Sequence, residues 1–273
     1  MKNIAFGQYY PTNSVMHRLD PRIKVVLTVL YIVCSFLCKN ILSFAVLAVS
    51  AVLITAIAKI PLKIVFGGLR AVFFILIFTS FLNIFWTKGE TPLFAWKFIS
   101  IYSEGLYAAL FIAIRISALI IGTGMFLTYT TTPIALTDAI EDLMSPLKKL
   151  HVPVHDFAMM MTIALRFIPL LVEETEKIMT AQKARGADFS SGGPVQRIKA
   201  LIPVIIPLFA SAFNRAGDLA TAMECRCYHG GEGRTRMTVR QVKARDIIAL
   251  ILTVLFGALL ITLNIFGFGF TLA

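Results

Sequence analysis

The sequence has few charged residues, and acidic residues are the scarcer of the two signs. Only 15% of its 273 residues are Asp, Glu, Lys or Arg, whereas 58% are hydrophobic and the mean hydropathy is +0.80. Soluble globular domains carry about 25% charged residues. The composition therefore excludes an ordinary soluble domain and predicts a polytopic membrane protein.

The chain also lacks the motifs of a nucleotide-hydrolysing or otherwise catalytic protein. Its glycine pairs at 67–68, 192–193 and 230–231 do not stand in a G-x-x-x-x-G-K-[ST] phosphate-binding loop. Paired carboxylates, or a Ser, His and Asp set, do not occur at a recognisable catalytic spacing. We expect a chain that is not an enzyme and that holds no cofactor of its own.

Cysteine is sparse, and its positions favour neither a disulfide framework nor a metal centre. Cys34 and Cys38 lie in an apolar run, and Cys225 and Cys227 flank an arginine, so we expect four reduced thiols. With His229, the second pair offers three ligands and no second set elsewhere, which makes a poor structural zinc site. The sequence predicts no metal site.

The basic residues indicate how the chain is oriented across the membrane. There are 26 Lys and Arg against 15 Asp and Glu. The aromatic residues lie in apolar runs and not among the basic ones, so we expect no nucleic-acid partner. If the N-terminus is cytoplasmic, only Lys39, Lys88 and Lys97 fall on the outer side, and Arg115 lies within a span. This bias predicts a multi-pass protein of the cell membrane with a cytoplasmic N-terminus.

Five apolar runs approach the ~20 residues that a helix needs to cross the hydrocarbon core of a membrane. These runs are 25–38, 41–58, 71–86, 105–129 and 247–266. We predict an all-α membrane protein with about five transmembrane helices. Residues 1–129 hold the N-terminal segment and the first four spans, and residues 246–273 hold the last.

Residues 130–245 are amphipathic and predict a cytoplasmic platform of three helices. Thr132 is the expected N-cap of the first helix, with Pro133 at its first position. One face of that helix carries four apolar side chains, Leu136, Ile140, Leu143 and Leu147. The apolar parts of the other two helices are shorter than a span, and a span at 157–172 would oppose the charge bias.

An arginine closes the second and the third of these helices. Each stands between two small residues, in the stretches Ala184-Arg185-Gly186 and Cys225-Arg226-Cys227. A cation at a helix C-terminus interacts with the helix dipole, worth ~0.3–1 kcal/mol, and glycine is a normal C-terminal cap. The small neighbours also let each guanidinium project, and its planar fork suits a carboxylate-lined pocket on a partner. We favour docking over capping.

Four stretches carry a family resemblance, in order along essentially the whole chain. They are GQYYPTNSVMHRLDPRIK, TTPIALTDAIEDLMSPL, TIALRFIPLL with AQKARG, and AMECRCYHGGEGRTR. Together they resemble the transmembrane T component of energy-coupling factor (ECF) transporters.

The resemblance implies partners and site residues. In that family, two arginine motifs end two cytoplasmic coupling helices and insert into grooves of two ABC-type ATPases, which bind the ATP and Mg. A substrate-binding S component sits against the coupling helices and confers specificity for a vitamin or other micronutrient. By motif, residues 184–186 are the first docking site and 225–227 the second, which departs from the commoner alanine-arginine-glycine form.

Other residues support weaker predictions. Met159, Met160 and Met161 offer an adaptable apolar surface for S components, although ordinary packing explains them equally well. The charged stretch 18–24 either anchors the chain at an anionic leaflet or contacts the coupling helices.

Two functions of other classes remain open at the level of the sequence. A self-sufficient permease predicts several polar residues at mid-membrane, where the spans offer mainly Ser, Thr and Asn besides Arg115. A membrane enzyme lacks a catalytic cluster.

Overall fold

The computed structural model describes residues 9–86, 92–96, 99–150, 152–189, 193–230 and 241–266. These residues form eight α-helices: α1 (Pro21–Leu37), α2 (Ile41–Ala58), α3 (Leu62–Trp86), α4 (Ser103–Thr123), α5 (Pro133–Leu143), α6 (Val154–Ala184), α7 (Pro194–Cys225) and α8 (Ala244–Ile265). A π-helical turn (Gly124–Thr128) extends α4, and 3-10 turns occupy Met16–Arg18 and Ser145–Leu150. The predicted all-α membrane fold is confirmed.

A short antiparallel hairpin was not predicted from the sequence. Its strands, β1 (Pro92–Trp96) and β2 (Ile99–Tyr102), stand between α3 and α4. Each strand has at most five residues, too few for a period-two pattern to stand out from the apolar runs on either side.

The chain divides into two compact units. The first contains Met1–Ala139 and Val239–Ala273, and the second contains Ile140–Thr238. The predicted boundaries at 129/130 and 245/246 stay predictions.

Local start signals set the first residues of two helices. Asp20 caps α1 by accepting the N–H of Arg22 at 2.9 Å, with Pro21 next in the chain, so the helix begins ahead of the apolar run. Thr132 caps α5 in the same way, since its hydroxyl oxygen accepts the N–H of Ala135 at 3.3 Å. The predicted cap at Thr132 is confirmed. The predicted apolar face is interrupted, because α5 ends at Leu143 and Leu147 lies in the following 3-10 turn.

The core of the first unit forms where α1, α2 and α4 meet. Phe44 and Phe111 stack with ring centroids 4.6 Å apart, and both are buried. Tyr31 packs against Gly122, where an added Cβ would lie 2.1 Å from the tyrosine ring. The missing side chain at 122 therefore allows α1 and α4 to approach closely.

Among the described residues, five helical segments are long and apolar enough to cross a membrane: Ile41–Ala58, Ser103–Thr128, Val154–Ala184, Pro194–Cys225 and Ala244–Ile265. Three of them match predicted spans. The predicted span at 71–86 belongs to a helix bent by 58° between Leu62–Arg70 and Val72–Trp86, and α1 has only 17 residues. The other two of these segments are α6 and α7, whose cytoplasmic position stays a prediction.

Candidate docking site at two helix ends

Helix α6 ends in a Schellman motif with Arg185 at the C-cap. Gly186 follows with a φ of +87°, in the left-handed region. The N–H of Gly186 donates to the carbonyl of Lys183 at 3.0 Å, and the N–H of Ala187 donates to that of Gln182 at 3.0 Å. These two bonds are the pair that defines the motif.

Helix α7 ends in the same motif. Arg226 occupies the C-cap, and Cys227 has a φ of +54°. Its N–H donates to the carbonyl of Glu224 at 2.8 Å, while the N–H of Tyr228 donates to that of Met223 at 3.1 Å. The two arginines therefore occupy equivalent positions in equivalent backbone geometry, even though one left-handed residue is glycine and the other is cysteine.

Neither arginine side chain is needed to close its helix. The backbone bonds of each motif already satisfy two of the last carbonyls. Arg185 and Arg226 are both exposed, and within the described ranges neither guanidinium pairs with a residue of this chain. Each arginine still interacts with its helix dipole, which is worth ~0.3–1 kcal/mol. The N–H groups of both guanidinium groups remain available to a partner.

The two helices run antiparallel, so their arginine tips lie at opposite ends of the pair. Glu174 of α6 pairs with Arg215 of α7, and further along α6 the Gln182 side chain donates to the carbonyl of Pro203 at 3.4 Å. As the contacting residue number rises along α6, the number of its partner on α7 falls. Each tip lies 11 residues past the ion pair, about 16 Å along its own helix, and the two directions diverge.

Comparison with known proteins identifies the family. Residues 12–237 match the family model described as CbiQ, cobalt transport protein. The chain is 50% identical over 256 residues to the "Energy-coupling factor transporter transmembrane protein EcfT" of Ruminiclostridium cellulolyticum, which covers 94% of this chain and 95% of that protein. The chain belongs to the EcfT family of energy-coupling factor transporter transmembrane proteins.

Other EcfT relatives match over nearly their full length. The protein of Clostridium kluyveri is 49% identical over 91% of this chain and 92% of its own length. That of Bacillus subtilis is 43% identical over 97% of this chain and 99% of its own length. The chain is thus a transmembrane T component of an ECF transporter and a multi-pass membrane protein.

The methionine cluster of this EcfT chain lies near the start of α6 and is partly exposed. Met160 is 58% exposed and Met161 41%, and Met159 is half-buried. The preceding Phe157 is also exposed. These side chains form an unpaired apolar surface on the described helix, and their contact with an S component stays a prediction.

The cysteines of the chain are all free thiols. Cys34 and Cys38 are buried, and Cys225 and Cys227 are exposed beside the second docking arginine. The described residues contain no group of three or more His, Cys, Asp or Glu side chains able to hold a metal ion.

Lys24 is a buried member of the charged stretch 18–24, whereas Arg18 is exposed, so the leaflet-anchor interpretation of the stretch stays a prediction. The side chain of Lys24 is only 2% exposed, and its ammonium group donates to the carbonyl of Thr130 at 2.8 Å and to the hydroxyl of Thr131 at 3.2 Å. Those two residues lead into α5. Lys24 therefore ties α1 to the chain entering the first predicted coupling helix, which agrees with the second interpretation of this stretch, a contact with the coupling helices.

A buried carboxylate joins the starts of α1 and α8. Asp246 is 1% exposed and accepts the backbone N–H of Asp20 at 2.9 Å and that of Lys243 at 2.8 Å. It satisfies two backbone donors that would otherwise lack partners. Sequence reasoning missed this residue.

Arg115 has a structural partner. Its guanidinium donates to the carbonyl of Cys38 at 2.8 Å, and its Cζ lies 5.1 Å from the ring centroid of Phe44. The carbonyl belongs to the C-cap of α1, where the helix dipole favours a cation. The guanidinium thus has a structural role, and its partner is the end of a helix.

Proposed function

We propose that this T component is the non-catalytic coupling subunit of an importer of a vitamin or other micronutrient. It links ATP hydrolysis by two ABC-type ATPase subunits to movement of a substrate-binding S component. The ATPases bind the ATP and Mg, and the chain lies in the cell membrane with its N-terminus in the cytoplasm.

The observation that carries the proposal is the pair of matching helix ends. Two exposed arginines, Arg185 and Arg226, occupy the same position of the same cap and diverge from a shared ion pair. Two grooves on a pair of similar ATPases require two similar docking arginines at separate points. A single bound partner would not require the repetition.

Force transmission follows from the length of the two helices and from the position of their internal prolines. The prolines, at 169, 203 and 207, lie outside the segments that run from the ion pair to the tips. α6 has 31 residues and α7 has 32, so the two helices are about 46 Å and about 48 Å long. The Glu174–Arg215 pair holds them together between the tips. Closure of the ATPases on ATP would move the tips toward each other, and the helices would tilt the S component that rests on them.

A self-sufficient permease is the alternative. It requires charged or polar groups that are free to meet a substrate inside the membrane. Arg115, the ionisable candidate named from the sequence, instead engages the carbonyl of Cys38 and lies over Phe44. This arrangement favours the coupling subunit.

The proposal is tested by uptake of the radiolabelled vitamin that the wild-type complex imports. Arg185→Ala and Arg226→Ala are each expected to abolish uptake, because each empties one ATPase groove. Lys183→Ala is the matched control, since it removes an exposed cation from the same end of α6 and should leave uptake near the wild-type level.

Arginine-to-lysine variants separate docking from capping. Arg185→Lys preserves the charge at the helix end but not the bidentate fork, so docking predicts a clear loss of uptake and capping predicts none. Normal uptake by the double variant Arg185→Ala/Arg226→Ala would refute the proposal.

A further inference from the structure

A cavity of about 500 Å³ lies in the first unit between α1, α2 and α8. Its volume falls in the range of ~300–1,000 Å³ that is typical of small-molecule sites. Aliphatic and aromatic side chains make most of its wall, among them Leu27, Ile54 and Phe256. The wall hydroxyls of Ser50 and Thr253 are already bonded to carbonyls of their own helices, at 2.7 and 2.9 Å. The cavity therefore suits an apolar occupant.

One cation stands in this wall. Arg245, in the first turn of α8, lines the cavity, and its Nε is buried with no hydrogen-bond partner among the described residues. Within the described ranges no ion pair joins Arg245 to the neighbouring Asp246, whose two oxygens accept the backbone N–H groups of Asp20 and Lys243. A buried donor on a charged group is costly when unpaired, so this site is complementary to an anion.

The cavity extends along the helices by the depth of one leaflet. Its α8 lining runs from Arg245 to Phe256, which is 11 residues or about 16 Å. Half of the hydrocarbon core of a bilayer is about 15 Å thick. The cation therefore lies where a headgroup would be, and the apolar wall covers the depth of an acyl chain.

We infer that this cavity binds an anionic phospholipid from the leaflet on the N-terminal side. Arg245 holds the phosphate, and one acyl chain lies between α1, α2 and α8. The site is separate from the two arginine tips and requires no ATPase or S component.

The test is native mass spectrometry of the purified, delipidated transporter complex titrated with dioleoyl phosphatidylglycerol. The wild type should bind one lipid molecule ahead of any others, and dioleoyl phosphatidylcholine should bind more weakly. Arg245→Gln should weaken the first binding event about tenfold, the effect of losing one charge-assisted hydrogen bond. Lys243→Gln is the matched control, because Lys243 is an exposed cation two residues away that does not line the cavity.

A second pair of variants tests the apolar part of the site. Leu252 lines the cavity, whereas Leu255 on the same helix does not, and both are exposed. Leu252→Trp should block the first lipid, and Leu255→Trp should leave its binding unchanged. This pair keeps the inference testable even if Arg245→Gln folds poorly.

Several results would overturn the inference. Equal binding of the two lipids would indicate a nonspecific boundary layer. Wild-type affinity in Arg245→Gln would show that Arg245 does not contribute to lipid binding. Competition by sn-glycerol 1-phosphate as strong as by the lipid would indicate a free-phosphate site. A wild-type complex that binds no lipid molecule ahead of the others would also overturn the inference. Arg185→Ala/Arg226→Ala should retain the lipid, so failure of the docking proposal is distinguishable.

Discussion

Cys227 adopts a backbone conformation that usually favours glycine. Its φ is +54°, whereas the equivalent residue of α6 is Gly186 with a φ of +87°. The left-handed region costs a residue with a Cβ ~1–2 kcal/mol. Retaining cysteine here leaves the C-cap bonds of α7 intact at a cost in local stability.

Single substitutions at these two positions should change the free energy of unfolding in opposite directions. Cys227→Gly is expected to raise the free energy of unfolding by about 1 kcal/mol, because it relieves the left-handed strain. Gly186→Ala should lower it by a similar amount, although space at that position is open. Thermal unfolding of the purified protein in detergent measures both changes.

The control for this prediction is a glycine within a helix. Gly217 lies in α7, also with open space around it, and alanine there should stabilise the helix by up to about 1 kcal/mol. If Gly186→Ala and Gly217→Ala change stability in the same direction, the account of the cap is wrong.

Helix starts could be predicted from the sequence because their signals are local. Thr132 with Pro133 predicted the start of α5, and the structure uses that cap. Asp20 with Pro21 carries the same local signal at the start of α1, although the first apolar run was placed only from residue 25. The contacts that join the helices could not be predicted in this way. Asp246 bonds a residue 226 positions away in the chain, and neither hydropathy nor spacing encodes that pairing.

The helix ends of the candidate site were also only partly predictable. The two arginines and their small neighbours are evident in the sequence, and Gly186 indicates a left-handed cap. Cys227 does not, since a cysteine rarely adopts a positive φ. Only the backbone geometry shows that the second end repeats the first.

The packing of α1 against α4 depends on one glycine. A Cβ at 122 would overlap the ring of Tyr31, which is itself only 1% exposed. Gly122→Ala should therefore lower the free energy of unfolding by ~1–3 kcal/mol, the range seen for overpacked cores. The measurement is the midpoint of thermal or denaturant unfolding.

Gly67→Ala is the matched control within the first unit. Position 67 is also helical and has nothing within contact distance of an added Cβ, so alanine should be neutral or stabilising. A loss of stability at 67 equal to that at 122 would mean that the close approach of α1 and α4 is not the cause.

The whole molecule contains two compact units, and the second of them carries two long helices that end in two exposed cations. The first unit is fixed internally by buried polar contacts, including those of Lys24 and Asp246. The second unit carries the arginine tips on two long helices, which are joined by the Glu174–Arg215 ion pair and by the hydrogen bond from Gln182 to the carbonyl of Pro203. In the proposed transporter, this division lets the bundle stay anchored in the bilayer while the helix pair responds to the ATPases.

The most direct test of this account is the number of ATPase subunits that the chain retains. Native mass spectrometry of the complex purified through a tag on this chain should give two ATPases for the wild type and for Lys183→Ala. One should remain in Arg185→Ala or Arg226→Ala when the ATPases bind independently, and none in the double variant. A double variant that still carries two ATPases would contradict the claim that the two arginines are the docking points.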